Sequence, residues 1–303
     1  MGVRATLLGS VLLVAMAIAL HAQQVWHVKM IDDAALSKTD GPETRTRTSD
    51  GLPDGLVAAR DTGDIRSAWY AMPTKRYGHG ILGDAIEAGE LKVRTSAGKM
   101  LSVQLPETEV FEDRYPRLAD LDGDGTTEVI TIRSSVTEGA SVTVYGLAGG
   151  ALTERASTGF IGRANRWLNI AGIASFKGGR AKQIAFVRTP HIGGTLYIYE
   201  FDAAGLTRAA SMYGFSNHVI GSREMRLSAT ADINNDGAID LALPSDDRNV
   251  LRVMGFMNGT LTELASAPLP SRIDKAIAVE HSSAGAAFIV GLGNGKVYRV
   301  GQP

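Results

Sequence analysis

Short segments in which apolar and polar residues alternate fill most of the chain from about residue 65 onward. They recur about every ten residues, and the turns between them are rich in Gly, Asn and Asp, which favour tight hairpins. Because side chains alternate between the two faces of a strand, this pattern indicates strands with one buried face. The sequence therefore predicts an all-β protein.

A repeated hexapeptide sets the length of the repeating unit. Its copies begin at Leu152 (Leu-Thr-Glu-Arg-Ala-Ser), Leu206 (Leu-Thr-Arg-Ala-Ala-Ser) and Leu261 (Leu-Thr-Glu-Leu-Ala-Ser), 54 and 55 residues apart. An alternating strand precedes each copy, and a small-residue turn joins the two. A unit of this length that contains only antiparallel strands is typical of a propeller blade.

We therefore expect a five-bladed β-propeller over residues 65–303, with four antiparallel strands, A to D, in each blade. The first two strands of the outer blades are expected near residues 81–91 and 276–290. The sequence stops after strand C of the fifth blade, and residues 65–72 are expected to supply its strand D from the N-terminal side. Such a strand would cover the sheet edge that is otherwise exposed where the ring closes.

Two acidic loops connect a strand A to a strand B. They read Asp-Leu-Asp-Gly-Asp-Gly-Thr-Thr-Glu over 120–128 and Asp-Ile-Asn-Asn-Asp-Gly-Ala-Ile-Asp over 232–240. Oxygen-bearing side chains fall at loop positions 1, 3, 5 and 9, and the glycine at position 6 permits the turn that brings them around one hard cation. Apolar strand residues follow each loop, where an EF-hand would continue into a helix. The pattern predicts about two structural calcium ions.

The expected calcium ligands are side-chain oxygens and one backbone carbonyl from each loop. They are Asp120, Asp122, Asp124 and Glu128 with the carbonyl of Thr126, and Asp232, Asn234, Asp236 and Asp240 with the carbonyl of Ala238. The alternative is an acidic, glycine-rich turn without an ion, in which several carboxylates would repel one another. The corresponding positions at Ser175 and Glu280 lack the acidic pattern and are expected to bind no ion.

The two acidic loops and the strands after them resemble the FG-GAP or VCBS-type repeat, which occurs in bacterial exported proteins and in the propellers of integrin α subunits. The resemblance covers about residues 65–303, and two of the five expected blades keep the full motif. It implies a β-propeller with calcium between strands A and B. It implies no single activity, because propellers of this type serve adhesion, ligand binding and occasionally hydrolysis or lyase chemistry.

The connections at the opposite end of the expected ring carry the candidate ligand-binding residues. Strands alternate in direction, so the connections from D to A and from B to C lie away from the acidic loops. They place an arginine in each blade, often beside an aromatic residue or a histidine. Such groups suit an anionic or sugar-like ligand, bound through bidentate hydrogen bonds and stacking. The candidates are Arg76, His79, Arg166, Trp167, His191, His218 and Arg223.

Two other interpretations of these residues stay open. Each arginine could pair with an acid of the neighbouring blade, and the three histidines could hold a transition metal. No catalytic residue is assigned, because the sequence contains no Gly-x-Ser-x-Gly elbow, phosphate-binding loop or dinucleotide fingerprint. An enzyme would have to use His and Arg as an acid–base site at this end of the ring.

Residues 1–22 have the pattern of a secretory signal peptide. Arg4 precedes an apolar run over 7–20, and Ala22 offers a small residue at the expected cleavage point. The alternative is an uncleaved membrane anchor, but the run is shorter than the roughly 20 residues that a span requires. Residues 23–64, polar over 38–55, are interpreted as an N-terminal segment and linker. No later segment has the length and hydropathy of a span, so we expect a periplasmic or secreted protein.

Net charge and cysteine content argue against several classes of function. The formal net charge of −1 argues against nucleic-acid binding, which requires a clustered basic surface, and the absence of cysteine excludes disulfides and thiol catalysis. We therefore expect an exported, calcium-stabilised binding module whose partner is a protein, a glycan or an anionic small molecule. The alternative is a hydrolase or lyase that acts on an anionic polysaccharide or phosphoester at the end that carries the histidines. A structural envelope component is a third interpretation.

Overall fold

The computed structural model describes residues 24–32, 46–282 and 285–302. The predicted signal peptide, 1–22, and part of the predicted linker lie outside the described residues. Within those residues every regular element is a strand, and none of the chain there forms a helix with the length and hydropathy of a membrane span. The strands are β1 (Gln24–Val25), β2 (His27–Ile31), β3 (Ala58–Ala59), β4 (Ile65–Thr74), β5 (Glu87–Thr95), β6 (Met100–Gln104), β7 (Glu109–Phe111), β8 (Arg117–Ala119), β9 (Glu128–Ser135), β10 (Gly139–Ala148), β11 (Ala151–Ser157), β12 (Leu168–Ala174), β13 (Gln183–Arg188), β14 (Thr195–Asp202), β15 (Gly205–Tyr213), β16 (Ala229–Ala231), β17 (Asp240–Pro244), β18 (Val250–Met257), β19 (Thr260–Pro268), β20 (Ile273–Ser282), β21 (Gly285–Leu292) and β22 (Val297–Gly301).

Hydrogen bonding arranges most of these strands in sets of four antiparallel neighbours. Four sets are consecutive in the chain, namely β3–β6, β8–β11, β12–β15 and β16–β19. A fifth combines β20, β21 and β22 with β2. Strand β7 pairs with both β5 and β9 and joins the first two sets into one nine-stranded sheet, so the described strands form four sheets. The predicted all-β class and the four-stranded antiparallel unit are confirmed.

A β-bulge recurs at the same place in three of the sets. In the hairpin of the third and fourth strands, the register shifts at Val144/Tyr145, Ile198/Tyr199 and Val253/Met254. The shifts are 54 and 55 residues apart, as the three hexapeptides are, because each hexapeptide lies in the fourth strand of its set. A bulge bends a strand and increases its twist, so the repeated sequence encodes a repeated bend.

Strand β2 completes the last set from the N-terminal side. It pairs antiparallel with β22, from His27 opposite Gly301 to Ile31 opposite Val297. A strand from this side was expected, but the prediction that residues 65–72 supply it is wrong, because they lie in β4, between β3 and β5. Burial gives the reason: β4 is buried along much of its length, as interior strands are, whereas β2 is mostly exposed, as suits an outer edge.

The first set is also offset from its predicted position. Residues 81–86, which we expected to belong to the first two strands of a blade, lie in the long connection between β4 and β5. Gly80 and Gly83 have φ angles of 63° and 96° there, which favour turns over strands. The true first strand, β3, has two residues, too few to produce a detectable alternation.

The hydrophobic cores lie between sheets that follow one another in the chain. Ile130 and Val142 of the nine-stranded sheet pack in one cluster with Leu168 and Phe186 of the next. Similar clusters join β12–β15 to β16–β19, and β16–β19 to β20–β22. Successive sheets therefore bury apolar faces against one another, and the connections at the ends of the strands stay available to form sites.

Candidate functional site

The connections at one end of the sheets form a pocket of about 260 Å³. Antiparallel pairing brings to this end the connections between second and third strands and those between successive sets. We call it the histidine pocket, and its lining residues are His79, Ile81, Asn165, Arg166, Trp167, Thr189, His191, Ile192 and Ile220. The fold thus brings together His79, Arg166, Trp167 and His191, four of the candidates from the sequence, from connections far apart in the chain.

Backbone geometry around the pocket is unusual for the residue types involved. Asn165 and Thr189 have φ angles of 54° and 52°, in the left-handed region. Asparagine tolerates this region, but the β-branched threonine does so at a cost in free energy. The backbone N–H of Thr189 donates to the carbonyl of Trp167 at 2.8 Å, which ties two walls of the pocket together. Strain held by surrounding contacts is a frequent property of binding and catalytic sites.

A histidine–carboxylate pair lies at one wall of the pocket. His79 Nδ1 is 2.6 Å from Glu112 Oε1, and Ser134 Oγ donates to the other oxygen, Oε2, at 2.5 Å. Glu112 is completely buried, and burial raises its pKa, while the hydrogen bonds from His79 and Ser134 lower it. Trp167 Nε1 donates to the backbone carbonyl of Glu112 at 3.0 Å. The carboxylate orients His79 and leaves its second ring nitrogen for a ligand.

Two further histidines form a hydrogen-bonded pair, and one of them lines the pocket. His191 Nε2 lies 3.0 Å from His218 Nδ1, and His218 Nε2 lies 3.0 Å from the carbonyl oxygen of Ser222. Burial lowers the pKa of His191 to about 4 and that of His218 to about 3, so both rings are neutral near pH 7. His191 lines the pocket, whereas His218 is fully buried behind it.

Trp167 supports these rings and offers little surface to a ligand. It is 2% exposed, its indole is parallel to the His191 ring at a centroid distance of 6.2 Å, and its contact with His218 is edge-on at 4.7 Å. We expected this side chain to stack on a ligand. The indole is buried against the two histidine rings, and the exposed apolar side chains that also line the pocket are those of Ile192 and Ile220.

Two of the three candidate arginines are held away from the pocket by contacts within the chain. Arg76 donates to the carbonyl of Glu109 through Nε at 2.8 Å and pairs with Glu107 at 3.1 Å. Arg223 pairs with Asp54 and with Asp84, at 3.1 and 2.7 Å. The structural interpretation of the arginines thus applies to Arg76 and Arg223. Arg166 lines the pocket, and its Nη1 donates to the carbonyl of the adjacent residue, Asn165.

The two acidic loops share one pattern of hydrogen bonds. The side chain of the ninth loop residue accepts from the backbone N–H of the second, with Glu128 2.7 Å from Leu121 N and Asp240 3.0 Å from Ile233 N. The first residue of each loop accepts from the glycine N–H at position 6, from Gly125 to Asp120 and from Gly237 to Asp232. The same sequence pattern therefore folds into the same loop twice.

The acids of the first loop are close enough together to hold a hard cation. Oxygens of Asp120, Asp122 and Asp124 lie within 4.8 Å of one another, and in the described chain His79, His191 and His218 do not form a group of this kind. In the second loop, Asp232 Oδ1 is buried without a hydrogen-bond partner. Burial, aided by Asp236 and Asp232, raises the pKa of Asp240 to about 7, and a bound cation would offset this cost.

Sequence reasoning missed Glu112, which the structure places behind His79. The one local signal of a special role is that an acidic residue directly follows the apolar pair Val110 and Phe111 at the end of β7. The partner of this acid is 33 residues away in the chain, so only the fold identifies it.

Comparison with known proteins gives a likeness of fold. No family model matches the chain, and no curated protein matches it. Among solved structures it is similar to Bacillus licheniformis rhamnogalacturonan lyase PL11, with 15% identity and a TM-score of 0.50 over 86% of this chain and 52% of the lyase. It is also similar to rhamnogalacturonan lyase YesW, at 15% identity and a TM-score of 0.49 over 90% of this chain and 52% of that one. BBS1N, solved in complex with ARL6DN, gives 10% identity and a TM-score of 0.47 over 83% and 67%.

The chain spans about half the length of the two lyases that it matches. At 15% identity the likeness concerns the path of the backbone and not the chemistry of a site. The chain therefore shares an all-β fold with the Bacillus licheniformis enzyme.

Proposed function

We propose that this chain is an exported five-bladed β-propeller of the FG-GAP or VCBS repeat type that binds an acidic polysaccharide in the histidine pocket and cleaves it by β-elimination. One observation carries the proposal: His79, backed by the buried carboxylate of Glu112, lines the same pocket as Arg166. Removal of a proton from the carbon that bears a substrate carboxylate requires at least an oriented base and a cation that stabilises the developing negative charge. His79, oriented by Glu112, and Arg166 can supply these two groups. The chain shares its all-β fold with the rhamnogalacturonan lyase of Bacillus licheniformis, and rhamnogalacturonan is therefore one substrate to test.

The reaction assigns one role to each of these side chains. The second nitrogen of His79 takes the proton from the carbon that bears the uronate carboxylate, and the electrons of that C–H bond form a carbon–carbon double bond. The glycosidic C–O bond on the next carbon breaks, and its oxygen leaves as an alkoxide that takes a proton from water. Glu112 stabilises the imidazolium that His79 becomes. Arg166 stabilises the negative charge that develops on the uronate.

His79→Gln is expected to lower the rate by about a hundredfold or more, because it removes the base and keeps the size of the side chain. The measurement is ultraviolet absorbance of the conjugated double bond formed from rhamnogalacturonan or polygalacturonate. His281→Gln is the matched control, since His281 is exposed in β20, outside the pocket. Absence of product with the wild-type chain, or an equal rate for His79→Gln, would exclude this reaction.

A binding module without catalysis is the second candidate. The ion pairs of Arg76 and Arg223 leave Arg166 as the candidate arginine that lines the pocket, and one cation can hold one carboxylate but gives less stabilisation of the charge that develops during elimination. In this case the protein would retain oligogalacturonate without forming product. Calorimetric titration with oligogalacturonate, combined with the absorbance assay, separates the two functions.

Calcium in the two acidic loops is proposed to stabilise the fold. The ligands would be Asp120, Asp122, Asp124, Glu128 and the carbonyl of Thr126, and, in the second loop, Asp232, Asn234, Asp236, Asp240 and the carbonyl of Ala238. A cation that binds only the folded chain raises the free energy of unfolding by about 2.7 kcal/mol per site at a hundred times its Kd. Export would expose these loops to a calcium-rich medium, where even weak sites are filled.

A chelator is therefore expected to lower the melting temperature, and Asp122→Ala to reproduce part of the shift without it. Asp202→Ala is the matched control. Asp202 is an exposed turn carboxylate that accepts from the backbone N–H two residues on, as Asp122 does, but it lies outside the acidic loops. Thermal unfolding with and without calcium measures the effect. Equal melting temperatures with calcium and with chelator would remove calcium from the proposal.

A further inference from the structure

His218 has both ring nitrogens engaged and does not line the histidine pocket. Nε2 lies 3.0 Å from the carbonyl oxygen of Ser222, and Nδ1 lies 3.0 Å from His191 Nε2. The ring is completely buried, and its edge contact with Trp167 limits its rotation. A buried histidine with two hydrogen bonds and no ligand contact is placed to orient another residue.

The partners of His218 determine where its proton is. A carbonyl oxygen only accepts hydrogen bonds, so Nε2 of His218 must carry the hydrogen that points to Ser222. Burial keeps the ring neutral, with a pKa lowered to about 3, so Nδ1 has no hydrogen and must accept. The atom that donates to it is His191 Nε2. His191 is neutral as well, so with its hydrogen on Nε2 its Nδ1 keeps a lone pair, and the other hydrogen-bonding group at this ring is the backbone of His218.

We propose that His218 is a positioning residue that holds His191 in the Nε2–H tautomer, so that His191 Nδ1 is a fixed hydrogen-bond acceptor in the pocket. The orientation of the acceptor is held by Trp167, whose ring is parallel to that of His191. The backbone of His218 is itself held, since its carbonyl accepts from Arg248 Nη1 at 3.3 Å. The carbonyl of Ser222 therefore fixes the hydrogen of His218 on Nε2, and the bare Nδ1 of His218 in turn fixes the hydrogen of His191 on its Nε2.

This arrangement specifies the chemistry of the ligand at one point. A fixed acceptor pairs with a donor and rejects another acceptor. The matching group is a hydroxyl of a sugar ring, an assignment that depends on the proposed function for its saccharide ligand. Arg166 and His191 would then recognise different parts of one saccharide, the carboxylate and a hydroxyl.

Nitrogen-15 NMR of the full chain tests the tautomer directly, because protonated and bare ring nitrogens differ in chemical shift. The expected spectrum at neutral pH has His191 as the Nε2–H tautomer in the wild type. It should be the same in His218→Asn, whose Oδ1 can take the place of Nδ1 as acceptor, whereas in His218→Leu the single fixed tautomer should be replaced by the exchanging mixture of a free imidazole. A wild-type spectrum with the hydrogen on His191 Nδ1 would overturn the proposal, whether or not either variant folds. An unchanged tautomer in His218→Leu would overturn it too.

Binding of oligogalacturonate gives the second readout. His218→Leu is expected to weaken it about tenfold, because the acceptor is no longer fixed, and His218→Asn to restore it. A Leu variant that folds and binds as the wild type does would overturn the role of His218 in recognition. If the tautomer is as expected and no oligogalacturonate binds to the wild type, the proposed function fails while the assignment of the proton positions holds.

Discussion

Trp26→Ala is expected to lower the free energy of unfolding by about 3–5 kcal/mol. The indole is 5% exposed and stacks on Phe288, with ring centroids 5.8 Å apart, in the core shared by the sheets of β16–β19 and β20–β22. Trp26 also lies between β1, which pairs with β19, and β2, which pairs with β22. Alanine would leave a cavity where two sheets share the N-terminal segment, so the edge strands of both would be held less firmly.

Denaturant unfolding of the wild type, Trp26→Ala and Trp26→Phe measures this effect. Phenylalanine keeps the contact with Phe288 and removes an indole N–H that is buried without a hydrogen-bond partner, so we expect it to cost less than about 1.5 kcal/mol. A change within about 0.5 kcal/mol for Trp26→Ala would contradict the docking of the N-terminal strands.

Asp113→Ala is expected to lower the free energy of unfolding by about 3–5 kcal/mol, because it leaves a largely buried arginine without its acid. Asp113 is 1% exposed and forms an ion pair with Arg117. It also accepts from the backbone N–H of Arg114 at 2.8 Å and from the hydroxyl of Tyr70 at 3.4 Å. The substitution therefore removes the acid that pairs with Arg117 and one hydrogen-bond acceptor of the buried Tyr70 hydroxyl. Because Asp113 follows Glu112, the orientation of His79 should suffer as well.

A double-mutant cycle separates the ion pair from the rest of this effect. Arg117→Met replaces the guanidinium with an apolar side chain of similar length. The Asp113→Ala, Arg117→Met double variant therefore contains no unpaired charge at this position. We expect the double variant to be more stable than the sum of the two single losses by about 1–3 kcal/mol, measured by denaturant unfolding. Additive losses would contradict a strong interaction between the two side chains.

The repeat could be predicted from sequence because it is encoded locally. A hexapeptide at Leu152, Leu206 and Leu261 lies in the fourth strand of three of the sets, and its spacing reappears as the spacing of the bulges. The first set was misplaced because β3 has two residues and because β4 is buried on both faces, so neither shows the alternation of a half-buried strand.

The site could be predicted only in part, because many of its contacts join residues that are far apart in the sequence. His79 and His191 stand in glycine-containing connections, and such positions can be found in the sequence. Their partners cannot be found in this way: Glu112 is 33 residues from His79, and Asp54 is 169 residues from Arg223. An arginine in a connection has the same appearance in the sequence whether it meets a ligand or an acid.

By itself, the sequence determined the strand class, the two acidic loops and the period of the repeat. The first two depend on residues within one strand or one turn, and the period follows from the recurrence of such a short segment along the chain. Only the tertiary structure decided that β2 completes the last set, that Arg76 and Arg223 are used internally, and that Glu112 and His218 stand behind His79 and His191. These facts depend on pairing and burial between distant segments, whose free energy comes from the packed chain and leaves no local pattern.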